Sequence, residues 1–290
     1  MKKVGFACVY GRANAGKSTI INKCLGFKLL PVSSKPQTTR DNVNAIYNDE
    51  DSQIIFVDTP GVFKPHGKLG SILLRDSESA KEGVDVIVYV IDASEVPNFE
   101  LANKLAKQDI PVILCFNKVD LVNAEIGESR LARYLEILPD CKVIRMSAKE
   151  GFGIEELLKE IKSHFEEGDL IFPEDIVSDR PKEFIISEII REKCMRLLSK
   201  EVPHSIYVDM KHVSEDEEGM EIFADIIVEK ESEKAIVIGK GGKMIAEICR
   251  YSEQSISSYF GMPVRCELLV KAIPDWRNQD KYLKKFGYEE

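Results

Sequence analysis

Residues 11–18 read Gly11-Arg12-Ala13-Asn14-Ala15-Gly16-Lys17-Ser18, which is the G-x-x-x-x-G-K-[ST] pattern of a phosphate-binding P-loop. An apolar run over residues 4–9 precedes the loop, and residues 19–25, beginning with Thr19, can continue it as a helix. The glycines let consecutive N–H groups face the phosphates, and the helix N-terminus adds its positive dipole end. We therefore expect residues 11–19 to hold a nucleotide, with Lys17 on the β- and γ-phosphates and Ser18 on Mg²⁺.

A second motif, Asp58-Thr59-Pro60-Gly61, ends the apolar run over residues 53–57. A carboxylate at the carboxyl end of a strand can hold the Mg²⁺ shell, and the Gly61 N–H can meet the γ-phosphate. A plain strand followed by a Pro-Gly turn would give the same residues, so the motif alone leaves both interpretations open.

Two further segments indicate guanine as the base. Asn117-Lys118-Val119-Asp120 follows the strand-like run 112–116, and the Asp120 carboxylate can accept from both the N1–H and the exocyclic amine of guanine. Adenine has no such pair of donors, so this group selects GTP over ATP. Ser147-Ala148-Lys149 follows another predicted strand and resembles the loop that backs the base.

The segment Pro36-Gln37-Thr38-Thr39-Arg40 lies between the P-loop helix and the next predicted strand. Thr39 could give its hydroxyl to Mg²⁺ and its N–H to the γ-phosphate, so that the segment orders with GTP and relaxes after hydrolysis. We therefore predict Lys17, Thr39 and Gly61 as the catalytic groups, and Ser18, Thr39 and Asp58 as the Mg²⁺ ligands.

These motifs together resemble the TRAFAC-type GTPases. Near the C-terminus, residues 237–245 read Val-Ile-Gly-Lys-Gly-Gly-Lys-Met-Ile, which resembles the Gly-x-x-Gly loop of a KH domain, a loop that clamps about four nucleotides. The predicted RNA-binding residues are Ile238, Gly239, Lys240, Gly241, Gly242 and Lys243. A GTPase domain followed by one KH domain resembles the Era family over essentially the whole chain.

The resemblance implies an α/β P-loop NTPase domain, with a mainly parallel sheet and helices on both faces, followed by an α+β type II KH domain. It implies a GTPase switch that needs GTP and Mg²⁺, binds small-subunit ribosomal RNA near its 3′ end and serves assembly of that subunit. Two alternatives stay open: a P-loop kinase for a small molecule, and an interaction protein that binds GTP without significant turnover. Peripheral contact with the inner face of the cell membrane is implied by the family alone.

Slow intrinsic hydrolysis is expected, because Val62 stands where Ras-like GTPases carry a water-orienting glutamine. Asn14 occupies the P-loop position at which potassium-dependent relatives use an asparagine oxygen to hold K⁺. We therefore treat Asn14 as a candidate K⁺ ligand, the alternative being a residue that only supports the loop.

Composition limits the remaining possibilities. The 290 residues have room for two domains, and the seven cysteines form no C-x-x-C pair, which favours reduced, buried thiols in a cytoplasmic protein without a disulfide-linked partner. We expect the protein to be a monomer. A net charge of −9 argues against indiscriminate nucleic-acid binding and confines RNA to one local groove. No apolar run reaches the roughly 18 residues of a membrane span.

The pattern along the chain predicts a GTP-binding domain over residues 1–167, a linker over 168–181 and a KH domain with a C-terminal helix over 182–290. Apolar runs predict strands at 3–9, 42–48, 53–58, 85–91, 111–117 and 142–146, with helices between them. The second domain is predicted as a helix at 182–199, strands at 204–213 and 220–229, a helix at 243–260, a strand at 263–271 and a terminal helix at 275–286.

Overall fold

A seven-stranded sheet with five helices forms the N-terminal part of the chain in the computed structural model, which describes residues 1–33, 35, 40, 42–61, 65, 67–199 and 201–288. The strands are Lys2–Gly11 (β1), Val43–Asn48 (β2), Ser52–Asp58 (β3), Val86–Asp92 (β4), Val112–Asn117 (β5), Lys142–Arg145 (β6) and Glu166–Gly168 (β7). The helices are Lys17–Leu25 (α1), Gly67–Ser79 (α2), Glu100–Leu105 (α3), Ala124–Leu135 (α4) and Ile154–Ser163 (α5).

The sheet is mainly parallel, as the sequence predicts. Its order is β2-β3-β1-β4-β5-β6; β1 pairs in parallel with β3 and β4, and β5 with β4 and β6. Every residue of β3 is buried, as expected for a strand covered by helices on both faces. Since the carboxyl ends of parallel strands share one edge, the loops after β1, β3 and β5 start from the same edge of the sheet.

The predicted linker runs along the sheet rather than away from it. Residues 177–179 lie antiparallel beside β2, with a bridge between Ala45 and Ser178. The Asp179 carboxylate accepts from the backbone N–H and the side-chain amide of Asn44, at 3.1 and 2.9 Å. The buried Gln53 side chain accepts from the N–H groups of residues 171 and 172. The acidic, proline-containing composition of this segment gave no indication that it pairs with a strand.

The C-terminal part of the chain is an α+β domain with a three-stranded sheet. Its elements are Lys182–Leu197 (α6), Val202–Ser205 (α7), Tyr207–Asp216 (β8), Gly219–Val228 (β9), Glu231–Ile238 (α8), Lys243–Phe260 (α9), Val264–Ala272 (β10) and Asp280–Lys285 (α10). The sheet order is β10-β9-β8, with β9 parallel to β10 and antiparallel to β8. Helices α6, α8 and α9 bury one face of the sheet around apolar residues such as Ile190, Ile226 and Ile248. This arrangement is the type II KH fold that the sequence predicts.

The chain folds into two compact units, each with more contacts inside it than to the other. One comprises residues 1–30, 39–63 and 73–179, and the other residues 31–38, 64–72 and 180–290. The domain limits at 167 and 182 stay a prediction. Within the second unit, the single predicted helix over 275–286 is instead a 3₁₀ turn at Trp276–Asn278 followed by α10, because Gln279 between them adopts an extended conformation. None of the helices that the structure describes is long and apolar enough to cross a membrane.

Candidate functional site

The P-loop joins β1 to α1 and leaves no space for a side chain at Gly16. A Cβ there would lie 2.2 Å from the Nδ2 of Asn117. That same amide donates to the Ala15 carbonyl at 2.8 Å, and its oxygen accepts from the Ala148 N–H at 3.0 Å. Asn117 therefore connects the P-loop to the Ser147-Ala148-Lys149 loop, and its role in the structure is to hold the two predicted nucleotide loops together.

Lys17 is buried at the start of α1, and its ammonium group faces the loop. Its Nζ donates to the carbonyls of Gly11 and Arg12, at 3.2 and 3.1 Å. Burial lowers the pKa of Lys17 to about 8, although the nearby Asp58 carboxylate acts in the opposite direction. Among the described residues, the partners of this buried ammonium group are neutral carbonyls, so an anion such as a phosphate would stabilise its charged form.

This lowered pKa predicts proton uptake when a nucleoside triphosphate binds. At pH 8 about half of the Lys17 side chains are neutral in the free protein, and phosphate binding should fully protonate them, taking up about half a proton per nucleotide. Because only the ammonium form pairs with phosphate, apparent affinity should fall as the pH rises through 8.

Calorimetry in buffers of different ionisation enthalpy measures this uptake. Lys17→Met should bind more weakly and without the proton. Zero uptake by the unmodified protein at pH 8, with no change of affinity between pH 7 and 9, would contradict the lowered pKa of Lys17.

The predicted Mg²⁺ ligands meet between α1 and β3. The Ser18 hydroxyl donates to Oδ2 of Asp58 at 2.9 Å, and Asp58 is fully buried. Mg²⁺ prefers such oxygen ligands, so a hydroxyl and a carboxylate at this spacing fit the ion. Thr39, the third predicted ligand, lies outside the described residues, as does Val62.

Thr59 and Gly61, which follow Asp58 in the second motif, contact β1 and the P-loop. The Thr59 hydroxyl donates to the Val9 carbonyl at 2.9 Å and so joins the end of β3 to β1. Gly61 lies against the P-loop, since a Cβ there would be 2.6 Å from Cα of Ala13. Gly61 and the neighbouring Pro60 therefore lie beside the P-loop, and the action of the Gly61 N–H on the γ-phosphate stays a prediction.

The two predicted base-reading residues Lys118 and Asp120 differ in their hydrogen bonds. Asp120 is exposed, and its carboxylate accepts no hydrogen bond from any residue that the structure describes. Lys118 donates to the Asn14 carbonyl at 2.8 Å and to Asp92 at 2.5 Å. Asp120 therefore presents an open pair of acceptors, while Lys118 bridges two loops of the site.

Asp92 is a site residue that sequence reasoning missed. Burial alone would raise the pKa of its carboxyl group, but hydrogen bonds from Lys118 and Ser94 outweigh burial and hold that pKa below its usual range. Asp92 is the last residue of β4 and so lies on the same sheet edge as the other motifs. That position is the feature of the sequence that could have identified it as a site residue. Asp92 thereby holds the Lys118 ammonium group next to the P-loop carbonyl of Asn14.

The loop that backs the base is closed by a pair of backbone hydrogen bonds between Ser147 and Phe152, both at 3.1 Å. The Ser147 hydroxyl is buried and meets no partner among the described residues. The Lys149 side chain is 85% exposed and pairs with Glu150. Arg12 likewise faces outward, 3.6 Å from Glu95.

The Gly-x-x-Gly loop connects α8 to α9 and exposes its backbone. Gly241 has a φ of 62°, a conformation that favours glycine, and a Cβ there would meet nothing within 4 Å. Gly242 precedes α9 as its N-cap, and the N–H groups of Gly242 and Lys243 donate to the carbonyls of Gly239 and Lys240. Lys240 and Lys243 are exposed on either side. The loop thus offers an uncrowded backbone and two cations to a phosphate backbone.

Comparisons with known proteins match both parts of the chain. Residues 6–118 match the family model described as 50S ribosome-binding GTPase, and residues 201–277 match the KH domain. A curated relative, GTPase Era of Clostridium kluyveri, is 40% identical, with all of both chains covered. GTPase Era of Staphylococcus haemolyticus is 36% identical over 99% of this chain and 98% of its own.

Two solved structures match essentially the whole chain. One is a crystal structure of Era in complex with MgGDPNP and nucleotides 1506–1542 of 16S ribosomal RNA, at 35% identity and a TM-score of 0.94, with 100% of both chains covered. The other is a variant of Aquifex aeolicus Era bound to GDP·AlF4⁻, at 35% identity and a TM-score of 0.92, covering 99% of this chain and 100% of that one.

Proposed function

Because this chain belongs to the Era family of GTPases, we propose that it couples GTP hydrolysis to binding of small-subunit ribosomal RNA near its 3′ end, during assembly of that subunit. The observation that carries the proposal is the presence of a P-loop joined to the Asp58 and Asn117 segments, together with an exposed Gly-x-x-Gly loop, in one chain that matches an Era–16S RNA complex over its full length. Small-subunit RNA and the small subunit itself are the proposed partners of a monomeric protein.

The chain hydrolyses GTP to GDP and phosphate, and its residues contribute mainly position and charge. Lys17 would neutralise charge on the β- and γ-phosphates, and N–H groups of the P-loop would donate to them. Ser18, Asp58 and Thr39 are proposed to hold Mg²⁺, which would supply further positive charge beside the phosphates. We propose that loss of the γ-phosphate releases Thr39 and the Gly61 N–H, which lets both switch segments relax.

A turnover assay together with an RNA-binding assay tests this function directly. The purified protein should release phosphate from GTP and bind an RNA with the sequence of the 16S 3′ end, and neither a small-molecule acceptor nor ATP should be required. Phosphate transfer to an added metabolite would favour the kinase alternative. GTP binding without multiple turnovers would favour the interaction protein.

Potassium dependence is a separate proposal that rests on Asn14. This residue has a φ of 64°, which asparagine tolerates better than most side chains do, and it lies within the P-loop. A K⁺ ion held by its side-chain oxygen would supply part of the charge that an arginine finger provides elsewhere. An arginine finger contributes about 10³–10⁵ in rate, and we expect the ion to contribute roughly tenfold or more.

Turnover in K⁺ and in Na⁺ at equal ionic strength tests this proposal. The unmodified protein should be faster in K⁺, Asn14→Asp should keep the preference, and Asn14→Gly should lose it. Glycine is chosen because it removes the side-chain oxygen and still adopts the same positive φ freely, so that a loss of preference cannot come from backbone strain. Equal rates in both salts for the unmodified protein would refute the proposal.

We place the protein in the cytoplasm, where the small subunit is assembled. Peripheral contact with the inner face of the cell membrane is a weaker proposal, supported by the family resemblance alone. Flotation with anionic vesicles would test it.

A further inference from the structure

A polar cluster joins the last turn of α2 to the strand residue that precedes the P-loop. Tyr10 is fully buried near the end of β1, next to Gly11, and its hydroxyl donates to Oε1 of Glu78 at 3.0 Å. The Lys81 ammonium group donates to Oε2 of the same carboxylate at 2.5 Å and lies 4.5 Å from the centroid of the Tyr10 ring. Each of the three side chains therefore contacts the other two.

The charges of this cluster lie in a mostly apolar setting. The Lys81 side chain is 4% exposed, and Tyr10 is part of an apolar core cluster of the GTPase unit. Burial alone would raise the pKa of Glu78, but hydrogen bonds from Lys81 and Tyr10 outweigh burial and hold that pKa below its usual range. A buried ion pair contributes little more to stability than an apolar pair of the same size, so stability alone does not explain the cluster.

The position of Glu78 is also unfavourable for α2 itself. Glu78 lies in the last turn of the helix, near the negative end of its dipole, and that turn, which the structure describes in full, contains no basic residue. Lys104 of α3 lies 3.5 Å from the same carboxylate and adds to the positive charge that Lys81 supplies from beyond the helix end. The carboxylate is therefore placed to attach the end of α2 to its neighbours rather than to stabilise the helix.

The same turn of α2 contacts the chain that follows the Thr39 segment. The side-chain amide of Asn42 donates to the Asp76 carbonyl at 2.9 Å. Asn42 comes three positions after Thr39, a proposed Mg²⁺ ligand, and directly precedes β2. The last turn of α2 is thus attached both to the strand that carries the P-loop and to the chain after the Thr39 segment.

We propose that Glu78, held by Tyr10 and Lys81, is a positioning residue for GTP hydrolysis. The segment between Gly61 and the end of α2 starts against the P-loop, beside Ala13, and ends at the contact between Glu78 and Tyr10. Fixing that far end restricts where the segment carries Gly61, whose N–H is proposed to meet the γ-phosphate. The inference rests on the proposed function of this site.

Loss of the cluster should slow hydrolysis without weakening nucleotide binding. Lys17 is held by P-loop carbonyls and Asp120 lies in a different loop, so neither of these binding residues depends on Glu78. A misplacement of about 1 Å can cost a factor of about 10² in rate, and we expect a loosened α2 to lower kcat by about tenfold. The affinity for GDP, which has no γ-phosphate, should be unchanged.

Single-turnover hydrolysis and GDP titration of Tyr10→Phe test this role. The substitution removes one hydroxyl and keeps the ring, so the variant should fold, and its rate should fall while its GDP affinity does not. Tyr134→Phe is the matched control, because Tyr134 is buried in the same core cluster and its hydroxyl accepts from the Asn98 N–H at 3.1 Å. The control should lose a comparable amount of stability and keep the rate of the unmodified protein.

A double-mutant cycle with Glu78→Gln shows whether the two side chains act as one unit. If Tyr10 acts through Glu78, the double variant should be no slower than Glu78→Gln alone. An unchanged rate in Tyr10→Phe, rate losses that multiply in the double variant, or a loss of GDP affinity equal to the loss of rate would each overturn the positioning role. Absence of turnover by the unmodified protein would overturn the proposed function as well, so the two failures are distinguishable.

Discussion

Replacement of Asp120 by asparagine is expected to change the base preference of this GTPase from guanine to xanthine. The carboxylate offers two acceptors to the guanine N1–H and exocyclic amine, whereas an amide offers one acceptor and two donors. Hydrogen bonds to charged groups contribute about 1.5–3 kcal/mol each, so loss of the pair should weaken GTP binding by roughly a hundredfold or more. Xanthosine triphosphate, whose C2 carbonyl can accept from the amide, should bind the variant better than GTP does.

Competition between the two nucleotides for Asp120→Asn and for the unmodified protein measures this change. Asp109→Asn is the matched control, because it removes the same charge from an exposed loop of the same unit, away from the predicted base site. Unchanged preference for GTP over xanthosine triphosphate in Asp120→Asn would show that another group reads the base.

The second large effect is expected at the Gly-x-x-Gly loop. Changing Gly241 and Gly242 together to aspartate should reduce RNA affinity by about a hundredfold or more, because the carboxylates repel phosphate and block close approach of the backbone. Both positions are open, since a Cβ at either meets nothing within 4 Å, and aspartate tolerates the left-handed conformation better than most residues. The domain should therefore stay folded, and GTP turnover should be unchanged.

Gly261 and Gly287 provide the control for this variant. They lie in the same domain, have φ values of 74° and 85°, and leave the same open space, so Asp at both adds an equal charge without touching the loop. Fluorescence anisotropy should show loss of RNA binding only in the loop variant. For the unmodified protein, log affinity should fall with log salt by about 0.7 per neutralised phosphate. Equal RNA affinity in the loop variant and in the control would move the site elsewhere.

The sequence predicted those features that depend on local pattern. The P-loop, the base-reading Asp120 and the Gly-x-x-Gly loop each consist of consecutive residues next to an apolar run, so their spacing was sufficient to place them. The order of strands and helices followed from hydrophobic periodicity in the same way.

Features that depend on contacts between distant segments could not be predicted. Asp92 is a single acidic residue at the end of a strand, and only the fold brings its carboxylate to Lys118. The pairing of residues 177–179 with β2 depends on an edge that only the folded sheet provides.

The central claim is that one chain binds small-subunit RNA through its KH loop and hydrolyses GTP in its other domain. Crosslinking in cells, followed by sequencing of the bound RNA, tests it most directly when the unmodified protein and the Gly241→Asp, Gly242→Asp variant are compared. We predict crosslinks concentrated near the 3′ end of 16S ribosomal RNA for the unmodified protein, and their loss in a variant that still hydrolyses GTP. Crosslinks spread evenly over cellular RNA, or an identical peak in the variant, would contradict the account.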